Sequence, residues 1–128
     1  MTRREHRIDE LAEPLSHYTD AVRAGDLLFV SGLIGVDGSG VLVGGDDVAA
    51  QARQVFENMR VVLESAGCGF ANVVKVTVYL TDVDDRPKIN PIRREVFGDA
   101  RPASTLVEVS RLAVPGAKVE IEAVALIP

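Results

Sequence analysis

The stretch DDVAAQARQVFENMRVVLESAG, residues 46–67, decides the fold because its apolar residues recur at three- and four-residue spacing. That spacing predicts a helix of about five turns with one face in the core. The apolar set comprises Val48, Ala52, Val55, Phe56, Met59, Val62, Leu63 and Ala66. The polar positions expected largely off this face are Gln51, Arg53, Glu57, Arg60 and Glu64. Asp46 or Asp47 can cap the first amides, and Gly67 can end the helix.

Strand patterns flank this helix on both sides. Upstream, HYTDAVRAGDLLFVSGLIG, residues 17–35, predicts strands at about residues 18–23 and 27–33, joined by the turn AGD. The glycine-rich residues 36–47 then predict a loop, whose two closing aspartates would repel phosphate. Downstream, NVVKVTVYLTD, residues 72–82, predicts a strand with one apolar and one mixed face. The predicted apolar face carries Val74, Val76, Val78 and Leu80, and the mixed face carries Lys75, Thr77 and Tyr79.

The rest of the chain predicts one more helix and two more strands. DVDDRPKINPIRREVFG, residues 82–98, predicts a helix that starts near Asp84, is interrupted or kinked around Pro91 and ends at Gly98. RPASTLVEV, residues 101–109, predicts a strand entered through a proline. Alternation places Ser104, Leu106 and Glu108 on one face and Thr105, Val107 and Val109 on the other, the second being the better buried. AKVEIEAVALI, residues 117–127, predicts the last strand, with Glu120 and Glu122 on one face.

This order of elements predicts a single α+β domain in which two helices pack on one face of a mixed sheet. Several strands carry apolar residues on both faces, so an uncovered sheet face would expose a large hydrophobic patch. Covering that face with copies of the same chain is the simplest solution, and it predicts a homo-oligomer. Residues 1–15 are charged and aperiodic, which predicts a frayed start or N-terminal arm before the domain of residues 16–128.

Composition excludes several function classes. The chain has 128 residues, a net charge of −5 and no run of Lys or Arg, which argues against a nucleic-acid partner. The single cysteine, Cys68, rules out an internal disulfide and a multi-cysteine zinc site. No apolar run is long enough to span a membrane, and the N-terminus has no signal-peptide core. A cytoplasmic location without a membrane partner is therefore the expectation.

Five blocks in collinear order resemble the YjgF/RidA family of reactive intermediate deaminases, which is also described as endoribonuclease L-PSP-like. They are HYTDAVRAGDLLFVSG, QARQVFENMRVVLESAG, VVKVTVYLTD, RPASTLVEV and VEIEAVA, and the likeness extends over about residues 18–125. The resemblance implies a chorismate-mutase-like fold and a homotrimeric barrel with active sites in clefts between subunits. It implies no cofactor and no metal.

The resemblance also implies an activity, because well-studied members of this family hydrolyse enamines and imines derived from amino acids to keto acids and ammonia. By position, Glu120 would hold or activate water, and Tyr18 would be the second catalytic residue. The substrate-binding positions would be Ser31, Asn90, Ser104 and Leu106. Each has a structural alternative: packing for Tyr18, a backbone contact for Ser31, a turn or cap for Asn90, and a solvated strand face for Glu120.

Ser104 departs from the family pattern, in which an arginine follows the PA of the strand entrance and clamps the substrate carboxylate. A charged hydrogen bond contributes about 1.5–3 kcal/mol, so its loss should weaken binding of a 2-imino acid about ten- to hundredfold. Arg101 is the first candidate for a replacement cation that binds substrate, with Arg23 and Arg53 as others. His17 stands where the family usually has proline, and is either a titratable neighbour of the cleft or an exposed loop residue.

Two function classes stay open on this basis. The first is a hydrolase or deaminase of a small imine, enamine or related C=N compound, for which the standard 2-imino acid activity is doubtful because the arginine is missing. The second is a non-catalytic trimer that binds a small ligand. A ribonuclease, the old label of some relatives, is disfavoured by the acidic charge and the absence of a basic stripe.

Overall fold

The helix that the apolar spacing predicts is present in the computed structural model, which describes residues 2–128. This helix, α1, spans Val48–Glu64, and the Asp47 carboxylate caps it by accepting hydrogen bonds from the amides of Ala49 and Ala50. Past its end Gly67 has a left-handed φ of 74°, which glycine adopts without strain. The predicted apolar face is confirmed, since the residues named for it within α1 are all buried.

Gln51 corrects one detail of that prediction, because it is fully buried instead of lying off the apolar face. Its side-chain amide donates to the carbonyls of Gly45, at 2.8 Å, and Gly116, at 3.1 Å. Its carbonyl oxygen accepts from the Lys118 amide at 2.8 Å. A polar group can be buried when all its hydrogen bonds are made inside, and Gln51 meets this condition by joining three segments.

Six strands form one mixed sheet in the order β1-β2-β3-β6-β4-β5. The strands are β1 Arg3–His6, β2 Ala21–Ala24, β3 Leu27–Ile34, β4 Val73–Leu80, β5 Ala103–Glu108 and β6 Val119–Leu126. Neighbouring strands run antiparallel except β4 and β5, which run parallel. β1 and β5 are therefore the two edges of the sheet.

The second helix, α2, spans Arg86–Phe97 and follows a short 3₁₀ turn at Val83–Asp85. It runs through Pro91 without a break, so the predicted interruption there is wrong, and it ends at Gly98 as predicted. Ile89 and Ile92 are its buried residues. Pro91 is exposed, so its missing amide costs one hydrogen bond on the solvent side of the helix.

Both helices pack on one face of the sheet, which confirms the predicted α+β class. Between the layers lies one hydrophobic core. It includes three phenylalanines, Phe56, Phe70 and Phe97, with mutually T-shaped rings whose centroids are 5.5–6.2 Å apart. The opposite sheet face has no covering layer within residues 2–128. Large apolar side chains exposed on that face are Leu27, Phe29, Val107 and Leu126.

The faces of β5 are the reverse of the prediction. Ser104 and Leu106 pair in parallel register with Val76 and Val78 of β4, which are buried under the helices. Side chains in register share a face, so Ser104, Leu106 and Glu108 lie on the helix side and the Val107 face is the uncovered one. Leu106 is partly buried against the core, whereas Val107 is 39% exposed.

Two further predictions are wrong for local reasons. A register shift between β4 and β6 at Val73–Lys75 leaves Val74 exposed, although alternation placed it on the apolar face. Within the charged N-terminus, Arg3–His6 form β1, which pairs with β2. β2 itself begins at Ala21, so Tyr18 lies in the loop before it. No helix within residues 2–128 has the length and apolar character needed to cross a bilayer.

Candidate functional site

A cavity of about 400 Å³ opens between the loop of residues 11–20 and the middle of β3. Tyr18, Ser31, Gly32 and Asn58 are among its lining residues. The pairing of β3 with β6 shifts register between Val30 and Leu33, a bulge that contains Ser31 and Gly32. Bulges re-aim side chains next to binding sites. This bulge places the Ser31 hydroxyl and the backbone of Gly32 at the cavity wall.

Ser31 and Tyr18 both form hydrogen bonds with the backbone of the loop of residues 11–20. The Ser31 amide donates to the Asp20 carbonyl at 3.0 Å, and its hydroxyl donates to the Thr19 carbonyl at 2.6 Å. The Tyr18 hydroxyl accepts from the Leu15 amide at 3.2 Å, while the ring is 48% exposed. The phenolic proton of Tyr18 remains available to a ligand.

Glu120 lies on the uncovered face of the sheet, with its carboxyl group against Gly32 of the cavity wall, and is not itself among the residues that line the cavity. A β-carbon added at Gly32 would come within 2.3 Å of Glu120 Oε2, so the carboxyl group rests directly on this glycine. Burial raises the pKa of Glu120, and the nearby charge of Glu122 raises it further. Glu122 in turn accepts a hydrogen bond of 2.7 Å from the Tyr79 hydroxyl. A carboxyl group whose pKa is shifted toward neutrality can both accept and return a proton.

A second group of polar residues forms where α2 meets β5. Arg93 Nη2 donates to Ser104 Oγ at 2.9 Å. Arg93 is partly buried, and this burial lowers the pKa of its guanidinium. Asn90 is also partly buried and lies three residues earlier on α2, hence on the same side of the helix. Leu106 follows Ser104 on the same face of β5.

Sequence reasoning missed Arg93, because its partner Ser104 is eleven residues away and the contact depends on how α2 packs. The three arginines that the sequence suggested as replacement cations lie at other positions. Arg101 is exposed at the entrance to β5. Arg53 pairs with Glu95 at 3.2 Å on the helical surface, and Arg23 donates to the Gly25 carbonyl at 2.9 Å. His17 is exposed. The sequence signal that could have identified Arg93 is its i, i+3 spacing from Asn90, which places both residues on the same side of a helix.

One chain therefore carries the candidate residues in two separate groups. The first group, Tyr18, Ser31 and Glu120, surrounds the β3 bulge. The second group, Asn90, Arg93, Ser104 and Leu106, lies at the edge formed by α2 and β5. Ser104 faces the helices, whereas Glu120 lies on the opposite face of the sheet. Residues 2–128 contain no set of three His, Cys, Asp or Glu side chains arranged to hold a metal ion.

Comparison with known proteins gives a consistent match over almost the whole chain. The sequence profile of the family described as Endoribonuclease L-PSP matches residues 8–127. The RutC family protein PH0854 of Pyrococcus horikoshii is 45% identical over 114 residues, which cover 88% of this chain and 89% of that protein. The human 2-iminobutanoate/2-iminopropanoate deaminase is 43% identical over 110 residues, covering 85% and 79% respectively.

Solved structures resemble the fold equally closely. The YjgF gene product of Escherichia coli superposes with a TM-score of 0.89 at 32% identity, covering 98% of this chain and 99% of that one. Escherichia coli TdcF with bound serine superposes with a TM-score of 0.88 at 30% identity, covering 96% and 98%. The likeness thus extends through both groups of candidate residues.

Proposed function

The chain belongs to the endoribonuclease L-PSP family of YjgF and Rid proteins, and from this we propose that it hydrolyses a small imine or enamine to a carbonyl compound and ammonia. One relative supports this reaction class, the human 2-iminobutanoate/2-iminopropanoate deaminase, and TdcF with bound serine supports a small amino-acid-like ligand. The observation that carries the proposal is Glu120, a carboxyl group with a raised pKa that lies against Gly32 at the wall of the cavity.

Glu120 would act first as a base and then as an acid. As water attacks the carbon of the protonated C=N bond, the Glu120 carboxylate takes one proton from the water, and a neutral carbinolamine forms. The protonated Glu120 then returns this proton to nitrogen. The C–N bond breaks as the carbinolamine hydroxyl loses its proton to solvent, so that ammonia leaves and the carbonyl forms. Positioned proton transfer of this kind accelerates a reaction by about 10²–10⁴-fold. Tyr18 would hydrogen-bond the substrate, and Ser31 and Gly32 would shape the cavity wall.

We propose that the working site is completed between copies of the chain, in a homotrimer. Glu120 of the first group and Ser104 of the second lie on opposite faces of one sheet, so a single chain cannot place both against one small substrate. The uncovered sheet face also exposes large apolar side chains that a neighbouring copy would cover. Closed rotational symmetry gives every copy the same two contacts and therefore repeats the same cleft.

The test measures ammonia release from 2-iminopropanoate generated in situ, for the wild type and Glu120→Gln. We expect the glutamine variant to lose about 10²-fold or more of the rate, because it cannot accept a proton. Glu64→Gln is the matched control, since Glu64 lies in an exposed ion pair on α1. Binding of 2-oxobutanoate without any turnover by the wild type would instead support the non-catalytic ligand binder.

Gly32→Ala tests the same role without removing the carboxylate. The new β-carbon would push the flexible end of Glu120 aside, so the protein should fold while the proton-transfer geometry is lost. A displacement of about 1 Å can cost about 10²-fold in rate. An alanine variant with the full wild-type rate would contradict the position proposed for Glu120.

A further inference from the structure

Tyr79 and Glu122 form a hydrogen-bonded pair beside Glu120 on the uncovered sheet face. Glu120 and Glu122 are two residues apart on β6, so their side chains point to the same face. Tyr79 lies opposite Glu120 in the register of β4 with β6, and its hydroxyl donates to Glu122 Oε1 at 2.7 Å. The residue that faces Glu120 across the strands is thus bonded to the carboxylate next to it.

This hydrogen bond fixes where the charge of Glu122 lies. A glutamate side chain has several staggered rotamers, so an unbonded Glu122 can turn its carboxylate toward solvent. The contact with the Tyr79 hydroxyl is charge-assisted and holds one of these rotamers. The same hydrogen bond raises the pKa of Tyr79, so its hydroxyl keeps its proton and remains a donor at neutral pH.

The other groups around Glu120 leave its electrostatic environment to this pair. The remaining charged or titratable side chains nearby come from the strand entrance, from β4 and from the loop at the cavity, and are Lys118, Lys75, Glu13 and Tyr18. β3 has no titratable residue. The Lys75 ammonium donates at 2.7 Å to a threonine of β5, on the side of β4 away from β6. Burial and the charge of Glu122 are the causes that raise the pKa of Glu120.

We propose that Tyr79 and Glu122 are positioning residues for the catalytic carboxyl group: Tyr79 holds the Glu122 carboxylate beside Glu120, and this held charge lets Glu120 both take and return a proton near neutral pH. The inference rests on the proposed hydrolase function, in which Glu120 acts as base and then as acid. Tyr79 and Glu122 act through Glu120 and need no contact with the substrate.

The carbon-13 NMR signal of the Glu120 carboxyl group, followed against pH, tests the pair without any substrate. Its absence from Glu120→Gln identifies the signal. We expect Glu122→Gln to move the titration midpoint of Glu120 about 0.5–1 pH lower, because a like charge about 7 Å away along the strand no longer opposes ionisation. Tyr79→Phe should move it the same way by less, since Glu122 then keeps its charge but loses its fixed position. Glu64→Gln is the control, and an unchanged midpoint in Glu122→Gln would overturn the proposal.

Two comparisons separate the pair from a general effect of polarity on this face. Thr77 lies opposite Glu122 in register, so Thr77→Val removes a hydroxyl from the same face and should leave the midpoint unchanged. Adding Tyr79→Phe to Glu122→Gln should give no further shift, because Tyr79 acts through Glu122. A Thr77→Val shift as large as that of Tyr79→Phe, or an additive shift in the double variant, would overturn the role of Tyr79.

The pH profile of ammonia release is the second measurement. Glu120 must be ionised to accept a proton, so the rate falls as the pH falls through its pKa. A lower pKa of Glu120 should therefore move this acid limb to lower pH in Glu122→Gln and, by less, in Tyr79→Phe. A merely structural role would change the rate by the same factor at every pH, and an acid limb that stays in place would contradict the proposal.

The two proposals fail separately. Ammonia release that Glu120→Gln abolishes, together with a Glu120 midpoint that Glu122→Gln does not move, refutes the positioning pair and leaves the hydrolase. A midpoint that moves as expected, without ammonia release by the wild type, refutes the hydrolase and leaves the effect of the pair on Glu120. Thermal unfolding and light scattering verify that each variant is measured as folded, assembled protein.

Discussion

At the scale of single residues, the chain places two charged groups where burial works against their charge. Glu120 is held against Gly32 and near Glu122, which raises its pKa. Arg93 is held between α2 and β5, where burial lowers its pKa. Perturbed ionisable groups of this kind concentrate at functional sites, because the protein gives up stability there to prepare a reaction or bind a ligand.

The stability cost of Glu120 predicts a pH dependence. Because the folded state raises the pKa of Glu120 above its ordinary value of 4.5, the folded state binds this proton more tightly than the unfolded state. The cost is absent below the unfolded pKa and grows as the pH rises through the folded pKa. Glu120→Gln should therefore raise the unfolding temperature at about pH 7.5 and have little effect at about pH 4.

Thermal unfolding at both pH values, with Glu64→Gln as control, measures this difference. A glutamine variant that is less stable than wild type near pH 7.5 would contradict it, since the carboxylate would then be held by favourable contacts.

The sequence alone led to Glu120, Tyr18 and Ser31 through their family positions, and the structure gathers these three around the β3 bulge. The sequence alone could not identify Arg93 as a candidate residue. A contact between a helix and a strand that follows it depends on the axial rotation of the helix, which propensity and periodicity fix only to within a residue or two. The bulge that aims Ser31 is likewise a property of pairing between β3 and β6 and has no local signature.

At the scale of elements, strong periodicity predicted α1, β4 and β6 well. The faces of β5 were assigned wrongly because both sets of its side chains are mixed, and the register with β4 decides which set lies under the helices. Gln51 was assigned wrongly for a related reason, since a helix position next to the apolar face can be buried when neighbouring loops supply hydrogen bonds. Tertiary contacts settle such positions, and local pattern does not.

The three buried hydrogen bonds of Gln51 predict that this one side chain contributes strongly to the stability of the protein. Gln51→Ala removes the partners of the Gly45 and Gly116 carbonyls and of the Lys118 amide. Each buried group left without a partner costs about 1–3 kcal/mol, so we expect a loss of about 3 kcal/mol or more in the free energy of unfolding. Gln54→Ala is the control: Gln54 is partly exposed and bonds only to Asn58, and it should cost about 1 kcal/mol or less.

Urea unfolding at one fixed protein concentration measures both variants, because the stability of an oligomer depends on concentration. Equal losses in the two variants would refute the joining role of Gln51.

At the scale of the whole molecule, the uncovered sheet face exposes apolar side chains that a single chain does not bury. Phe29 is 46% exposed at its centre, and Leu126 is 49% exposed beside it on β6. Exposed apolar patches of this kind mark interaction surfaces in soluble proteins. Polar side chains, among them Glu120 and Glu122, occupy the other end of the same face, so an interface formed there would lie directly against the candidate catalytic group.

Phe29→Lys tests this surface. Three chains of 13.7 kDa give a wild-type particle of about 41 kDa, and a lysine at the centre of the face should reduce it to the mass of one chain. Val41→Lys is the matched control, since Val41 is a more exposed apolar residue of the glycine-rich loop. Light scattering that finds the wild type at the mass of one chain would remove the trimer and the shared site together.

The separation of Glu120 and Ser104 onto opposite faces of the sheet has a genetic consequence. In the proposed ring of three, each cleft combines the Glu120 group of one chain with the Arg93 group of the next. Alleles carrying Glu120→Gln and Arg93→Ala would each be impaired alone, yet every mixed ring contains one junction at which both undamaged groups meet. Co-expression of the two alleles would thus recover activity by intragenic complementation, and neither defect would be fully dominant in a cell that carries both.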